Sequence, residues 1–597
     1  MILVIAEKPS VAQSIAKVIG ATSRKDGYME GNNYIVSWCV GHLVGLADAS
    51  SYDERYAKWE YSDLPIVPEE WLYEVPKDKA QQFRVLRDLM KDKRVTELVC
   101  ATDAGREGEL IFRLVYNKAG CTKPFKRLWI SSLEDSAIRD GFRHLRDSKD
   151  YDKLYEAALA RSKADWIVGI NGTRLFSTHY HKRLIVGRVQ TPTLAMLVER
   201  EGKITTFRKE KYFNIHVEKD GLRADMEKIK SEDEAKTIAA ACDKKQAVVS
   251  SVRRETKTVN PPKLYDLTTL QREANRYFGF TAQQTLDLVQ SLYEKKLLTY
   301  PRTDSQFITD GMEATAHQVI TIVCRKLPVF AELSHEPDIG RVTDNAKVTD
   351  HHAIIPTVQL EKQDIPELPQ SEQKILSLVG MRLLAATGEK HIYDETQITV
   401  LCEGYEFKTK GKTVTQNGWK DIEQRFRASL ASKDKDEPEK ELPSVSENAV
   451  LECVSSSVTE HFTSPPKSYT EDTLLSAMET AGNEAFDEET EKKGLGTPAT
   501  RAGIIEKLVK GGFIERKGKS LIPTKDGNNL VCVLPEQITS PSMTAEWENT
   551  LMQIERGKAD AGRFLNGIVE ITSSLVKAYG FLFEAEATRF DIEKEVI

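Results

Sequence analysis

Apolar residues run unbroken from Ile2 to Ala6, a polar turn (Glu7, Lys8, Pro9, Ser10) follows, and then Ala12, Ile15, Ala16 and Ile19 recur at helical spacing. The run reads as a buried strand and the spacing after it as one face of a helix. The alternation continues: Thr96 to Thr102 gives a second strand with Asp103 at its end, Arg106 to Val115 a helix, and Leu128 to Ile130 a third strand before a helix from Leu133. Strands alternating with helices predict a parallel α/β sheet, whose ligands sit at the carboxyl ends of strands, where Glu7 and Asp103 fall. Tyr151 to Thr178 is helical in period, and VGRVQTP (Val186 to Pro192) is a polar loop ahead of another helix. The period then shortens. Tyr212 to Val217 and Ala247 to Val259 are β-prone, Asn260-Pro261-Pro262 interrupts them, and Ile392 to Leu401 and Ala449 to Val458 read as strands returning to the same sheet-rich region. In between, Leu264 to Arg276 is helical, and Thr281 with Gln284 forms a capping box for a helix running up to Leu298. The last third predicts a helix through Leu474, Leu475 and Met478, a helix and glycine-turned hairpin within Gly494 to Gly527, and amphipathic helices over Thr544 to Glu555 and Ala561 to Tyr579. Two insertions stand apart. Ala428 to Glu447 is charge-dense and expected to be a mobile, solvated loop, and Glu484 to Lys493 is acidic.

Length and composition narrow the picture. A chain of 597 residues suits about four domains of roughly 150 residues. No apolar run approaches the ~20 residues of a membrane span, and MILVIAEKPS lacks the basic start of a signal peptide, so a cytosolic location is expected. Eight scattered cysteines with no CxxC pair read as small core residues rather than a zinc ribbon or disulfide framework. A net charge of −7 argues against a protein that coats duplex DNA, while leaving room for a local basic channel.

The candidate chemistry centres on LLTYPRTDS, Leu297 to Ser305. Pro301 fixes its own φ and drives Tyr300 out of the helical region, so the helix ends and the phenol projects from a stiff turn. In an extended segment Tyr300, Arg302 and Asp304 share a side. A phenol with a pKa of about 10 is a poor nucleophile, and the neighbouring guanidinium is expected to favour its oxyanion. A second constellation is Glu7 with Asp103 and Glu107 of ATDAGREGE, three carboxylates at one sheet edge, which suit Mg²⁺ with water and phosphate completing its shell. His351 and His352 are adjacent, so their side chains diverge, and phosphate contact or proton handling suits them better than shared ligation. Gly494, Gly496, Thr497, Thr500 and Arg501 surround a helix start fit for phosphate.

AEKPS paired with ATDAGREGE resembles the Toprim domain of type IA topoisomerases, and LLTYPRTDS resembles their active-site tyrosine segment. WCVGHLVGL with Lys58 and Trp59 is similar to the bacterial topoisomerase III branch of that family. The resemblance implies a multidomain toroid of α/β, helical and β-rich parts: a Toprim domain at 1–148, a groove domain with winged-helix-like units at 149–210 and 464–597, a β-rich arch at 211–278 and 391–463, and a tyrosine domain at 279–390. It implies an ATP-independent isomerase that cleaves single-stranded DNA through a 5′-phosphotyrosine, passes a strand and rejoins the break, relaxing negative supercoils and decatenating DNA. Tyr300, Arg302, Glu7 and Lys8 would be catalytic, and Glu7, Asp103 and Glu107 would hold Mg²⁺. DNA contacts are implied at Lys58, Trp59, Arg161, Asp165, Arg174, Val186, Gly187, Arg188, Val189, Gln190, Thr191, Gln290, Glu294, Thr303, Asp304, His351, Thr497, Thr500 and Arg501. Implied partners are single-stranded and negatively supercoiled or catenated DNA, a RecQ-like helicase and a single-strand-binding protein. No membrane, a monomer and a cytoplasmic, nucleoid-associated location complete the expectation. The zinc ribbons that follow the core of many relatives are not found before Ile597. A Toprim nuclease or primase and a non-catalytic single-strand-binding protein are the rival readings, and both leave LLTYPRTDS unexplained. One departure stands out: Asp103 is followed by Ala104 and Gly105, where many Toprim domains place a second aspartate. Mg²⁺ binding is expected to be weakened, and Gly105→Asp to strengthen it.

Overall fold

The computed structural model describes residues 1–131, 133–331, 333–348, 351–430, 442–482 and 494–584, with side chains up to 579. The core of the insertion at 428–447 and all of that at 484–493 lie outside the described residues.

The first sheet has seven strands, in the order Ser23–Lys25, Tyr28–Gly31, Tyr34–Trp38, Ile2–Ala6, Glu97–Ala101, Phe125–Arg127, Arg146–Asp147. Its four central strands are parallel, but antiparallel strands close both edges, so the sheet is mixed rather than wholly parallel as expected. Short hairpins within 23–38 supply one edge, and Arg146–Asp147, reached through the helix Asp135–Arg143, supplies the other. The third predicted strand is displaced to Phe125–Arg127, because Leu128 to Ile130 already run off the carboxyl edge toward the helix Asp135–Arg143. Ile2–Ala6 pairs in register with Glu97–Ala101, Ala6 opposite Ala101. That register brings Glu7 and Asp103 to neighbouring exits from the sheet.

A second seven-stranded sheet joins distant parts of the chain. Lys211–Lys219, Leu222–Ile229 and Ala247–Val259 associate with His391–Cys402, Tyr405–Gln416, Val450–Leu451 and Ser455–Phe462. One face packs apolar side chains, including Ile215, Val249, Val400 and Phe407, against the helix Glu232–Cys242. Residues 260–390, which the two halves of this sheet enclose in sequence, build a separate helical core around Leu267, Val289, Leu298 and Leu376. The returning chain packs Glu471–Thr480, Pro498–Lys510 and the hairpin Ile514–Lys517/Ser520–Pro523 against Gln190–Thr205. The long helix Asp152–His179 is covered by Pro541–Glu555 and Ala561–Glu584. Among the described residues no helix is long and apolar enough to cross a membrane. Four cysteines are buried as expected, but Cys453 and Cys532 are exposed and are not core residues.

Candidate active site

The helix Ala282–Glu294 opens with the predicted capping box, Thr281 accepting from the Gln284 N–H and Gln284 from the Thr281 N–H. It ends at Glu294, short of Leu298, because Lys296 adopts φ +65° and turns the chain. The segment that follows crosses to the first sheet, where the Tyr300 N–H donates to the Ser131 carbonyl (3.2 Å).

There the phenol of Tyr300 donates to Asp103 Oδ2 at 2.9 Å. Arg302 Nη1 lies 3.4 Å from the same oxygen and 3.9 Å from Glu7 Oε1, and the Asp103 N–H donates to Glu7 Oε2 (3.3 Å). The carboxylate that meets the phenol is therefore Asp103 and not Asp304, which points to solvent. Burial first, then the Asp103 charge, hold the Tyr300 hydroxyl well above the ordinary phenol range, overcoming Arg302. This corrects the expectation of a favoured oxyanion: burial, and then the nearest carboxylate, outweigh the guanidinium. Burial and Asp103 likewise push Glu7 from 4.5 up to about 7, against Arg302 and Lys8.

His351 stacks on Tyr300, ring centroids 4.1 Å apart. Its Nε2 lies 2.6 Å from the Ala104 carbonyl and its Nδ1 3.1 Å from Ser131 Oγ, so Nε2 carries the proton and Nδ1 accepts. Burial lowers its pKa to about 3, leaving the ring neutral. His351 is thus a neutral ring packed on the tyrosine. Thr303 Oγ1 donates to the His351 carbonyl, tying the two loops together.

Glu107 departs from the other two acids. Its carboxylate lies 3.4 Å from His42 Nε2, and among the described residues no group of three His, Cys, Asp or Glu side chains gathers as a metal site. Glu7 and Asp103 remain as a pair. Gly105 has φ +150° and ψ 175°, a region open essentially only to glycine. An aspartate there is strained, so Gly105→Asp carries a stability cost beside any added ligand. Gly108 is equally fixed, since a Cβ would stand 1.9 Å from the Asp103 carbonyl oxygen.

The sequence-predicted DNA contacts divide. Lys58 and Trp59 are exposed, with the Arg174 guanidinium 5.5 Å from the indole centroid. Gly187 and Gln190 are partly exposed at the start of Gln190–Thr205, while Val186, Val189 and Thr191 are buried. Arg188 is buried against Asp165 (2.7 Å) and Glu548 (2.9 Å), and Arg161 also approaches Glu548 (3.7 Å). Burial opposes the Glu548 charge, yet Arg161, Arg188 and Arg106 hold its pKa down to about 2. Arg501 is buried too, donating to the Leu495 and Gly496 carbonyls and to Thr268 Oγ1, so its guanidinium braces the fold. Thr497 and Thr500 cap each other's backbone at the start of Pro498–Lys510, and Gln290 donates to Glu294.

Sequence reasoning missed several residues at the site. His42 lies within the quoted WCVGHLVGL, and Tyr293, one helical face before the turn, packs edge-on to Tyr300 at 5.5 Å. Arg127 is fully buried, pairs with Glu109 (3.2 Å) and donates to the Asp103 carbonyl, shaping the loop after Ala101. Glu548 carried no local signal at all.

A parallel-centred sheet with acids at its edge, a tyrosine delivered from a distant helical core and a second sheet built from the chain on both sides of that core describe a DNA-cleaving enzyme of the topoisomerase kind. The comparisons agree. A family described as DNA topoisomerase matches residues 149–566, and the Toprim domain matches 2–133. Relatives named DNA topoisomerase 3 from Bacillus licheniformis and Bacillus subtilis are each 40% identical, covering 96% of this chain and 81% of the relative. One from Shouchella clausii is 40% identical over 96% of this chain and 80% of its own length. The structure of full-length topoisomerase I from Thermotoga maritima superposes with a TM-score of 0.74 at 25% identity, covering 100% of this chain and 91% of that one. The chain belongs to the type IA DNA topoisomerases, isomerases that cut one DNA strand, pass another through the break and rejoin it.

Proposed function

We propose that Tyr300 is the nucleophile and that Asp103, Arg302, Glu7 and Lys8 serve it. The observation that carries this reading is the 2.9 Å hydrogen bond from Tyr300 to Asp103, made across 197 residues of sequence, with Arg302 beside both. The phenol oxygen attacks the phosphorus of a bound single strand, the new Oη–P bond forms, and the P–O3′ bond breaks. The phenolic proton passes to Asp103, which already accepts it. Glu7, held near half-protonation at neutral pH, gives its proton to the leaving 3′-oxygen, and Lys8 lies beside it. Arg302 balances the charge gathering on the phosphoryl oxygens. The reverse sequence rejoins the strand, and the phosphotyrosine conserves the bond energy, so ATP is not needed.

Glu7 and Asp103 fit Mg²⁺, which accepts one or two carboxylates with waters and a substrate phosphate completing the shell. When bound, Mg²⁺ supplies charge neutralisation at the phosphate and a fixed position for the 3′-hydroxyl. A Glu7 that ligates metal is ionised, so it cannot donate its proton at the same time. Glu107, turned to His42, would join only through movement of its helix start.

The six-segment division and the DNA contacts at Lys58, Trp59, Gly187 and Gln190 belong to the same proposal, supported by two-part pairing of the second sheet and by exposure of those residues. Relaxation of negative supercoils and decatenation accord with the family. A RecQ-like helicase and single-strand-binding protein as partners, a monomeric state and a nucleoid location rest on the resemblance alone. The test is an SDS-resistant adduct with a 5′- or 3′-labelled single-stranded oligonucleotide. Label retained only from the 3′ side of the break supports a 5′-phosphotyrosine, and absence of any adduct refutes it.

A further inference from the structure

Strand passage requires the two sides of the break to part. If Tyr300 carries one end, as proposed above, the helices bearing it leave their neighbours once per cycle and return. Toward the first sheet they are held by the chemical groups themselves, by the Tyr300 N–H and His351 on Ser131 and Ala104, by the packing of Tyr293, and by Lys296 on Asp135 (2.8 Å). Toward the returning segment they are held by Arg501 on Thr268 Oγ1 (2.9 Å), by Lys519 on the Arg276 carbonyl (2.9 Å) and, with the densest set of charged contacts, at the start of Glu471–Thr480. Asp472 accepts from Arg272 Nε (3.0 Å) and from Arg276 Nε and Nη2 (3.1 and 3.0 Å), two arginines one turn apart on Leu267–Phe278. The Asp472 N–H donates to Asn275 Oδ1 (3.3 Å). Glu471 Oε2 accepts from the Ala282 N–H (2.5 Å), the first residue of the helix that leads to Tyr300, while its Oε1 accepts from Arg516 (2.9 Å).

Two consecutive acids thus grip both tyrosine-bearing helices, one by a guanidinium pair and one by a helix start whose partial positive charge favours a carboxylate. The contacts made by the two acids are polar, and water can replace each of their hydrogen bonds on separation, whereas the apolar packing of Ala282 in one cluster with Leu474 and Leu475 exposes surface with no substitute partner. Arg276 is already half exposed. None of these groups touches Tyr300, Asp103 or Glu7.

We propose that Glu471 and Asp472 form the clasp that holds the tyrosine-bearing helices closed against the groove and sets how often the ring opens, a positioning role in strand passage separate from the chemistry. The test uses the full chain with fluorophores on exposed Cys532 and on Lys362→Cys, with Cys453→Ser removing the other exposed thiol. Asp472→Asn is expected to raise the open, low-transfer population about tenfold, the scale of a lost charge-assisted hydrogen bond, while oligonucleotide adduct formation stays within about twofold of the parent. Arg272→Gln with Arg276→Gln should act alike, and all three together should add nothing further, since they share one interaction. An open population unchanged by Asp472→Asn, effects that add in the combined variant, or adduct formation falling in step with opening each overturns the clasp. The fluorescence arm needs no cleavage, so a failure of the Tyr300 reading would appear as a missing adduct with the Asp472 effect intact.

Discussion

Replacing Glu7 by glutamine removes a proton whose pKa the fold has raised from 4.5 to about 7, by burial and then by Asp103. Each pKa unit is worth about 1.4 kcal/mol between protonation states, so an ionised Glu7 costs the folded chain about 3 kcal/mol. The folded pKa lies above the unfolded one, so the native state holds the extra proton between pH 4.5 and about 7. This contribution is fully present below the lower value and is lost as pH rises through the upper. Glu7→Gln has no such proton. Its stability should match the parent near pH 4.5 and exceed it by about 3 kcal/mol above pH 7, a difference in which all shared titrations cancel. Urea denaturation of both proteins in metal-free buffer across that range measures the gap. The same proton should govern cleavage: single-turnover adduct formation by the parent stays level below pH 7 and falls about tenfold per unit above it, whereas Glu7→Gln is slower by about 10²–10⁴ and level throughout. Mg²⁺ should move the parent's midpoint down, because ligation favours the ionised carboxylate. A stability gap that does not change with pH, or a Glu7→Gln profile with the parent's midpoint, would refute the reasoning.

Tyr300→Phe should abolish both adduct and relaxation while single-strand affinity, read by fluorescence anisotropy, changes less than about threefold, because the groove has many contacts; covalent capture by the Phe variant would remove Tyr300 from the mechanism. Asp103→Asn should raise the Mg²⁺ needed for relaxation or accumulate cleaved complex, and an unchanged Mg²⁺ titration would mean the carboxylate edge is misread. Gly105→Asp should lower stability by about 1–3 kcal/mol through its backbone conformation alone, since a Cβ there meets nothing within 4 Å; a variant as stable as the parent in denaturant would contradict that. Negatively supercoiled plasmid should be relaxed without ATP and fully paired positively supercoiled plasmid left alone, because an unpaired strand must enter the groove; efficient relaxation of the latter would count against it.

Local chemistry in the sequence determined much of this protein. The apolar run Ile2 to Ala6 and its helix, the Thr281 and Gln284 cap, three of the β-prone stretches and the proline that frees Tyr300 all act within a few residues and formed where their patterns placed them, while Ala449 to Val458 split at Cys453 (φ +56°) into Val450–Leu451 and Ser455–Phe462 at opposite edges of the sheet. The pairing of AEKPS with ATDAGREGE and LLTYPRTDS was enough to identify the family. What the sequence left open depended on partners far along the chain. Asp304 stood two residues from Arg302, yet Asp103 reached the phenol; Glu107 shared a motif with Asp103, yet turned to His42. Arg161 and Arg188 were implied as DNA contacts, yet the fold sets both against Glu548. Protonation was hidden for the same reason, since burial and neighbouring charge, which raise Tyr300 and Glu7 and lower His351, exist only once the helical core, the first sheet and the returning segment are packed together. The sequence alone determined which groups are present and how each local segment bends, and the tertiary structure decided which of them meet, because electrostatic contact falls off over a few ångströms while those groups lie up to hundreds of residues apart.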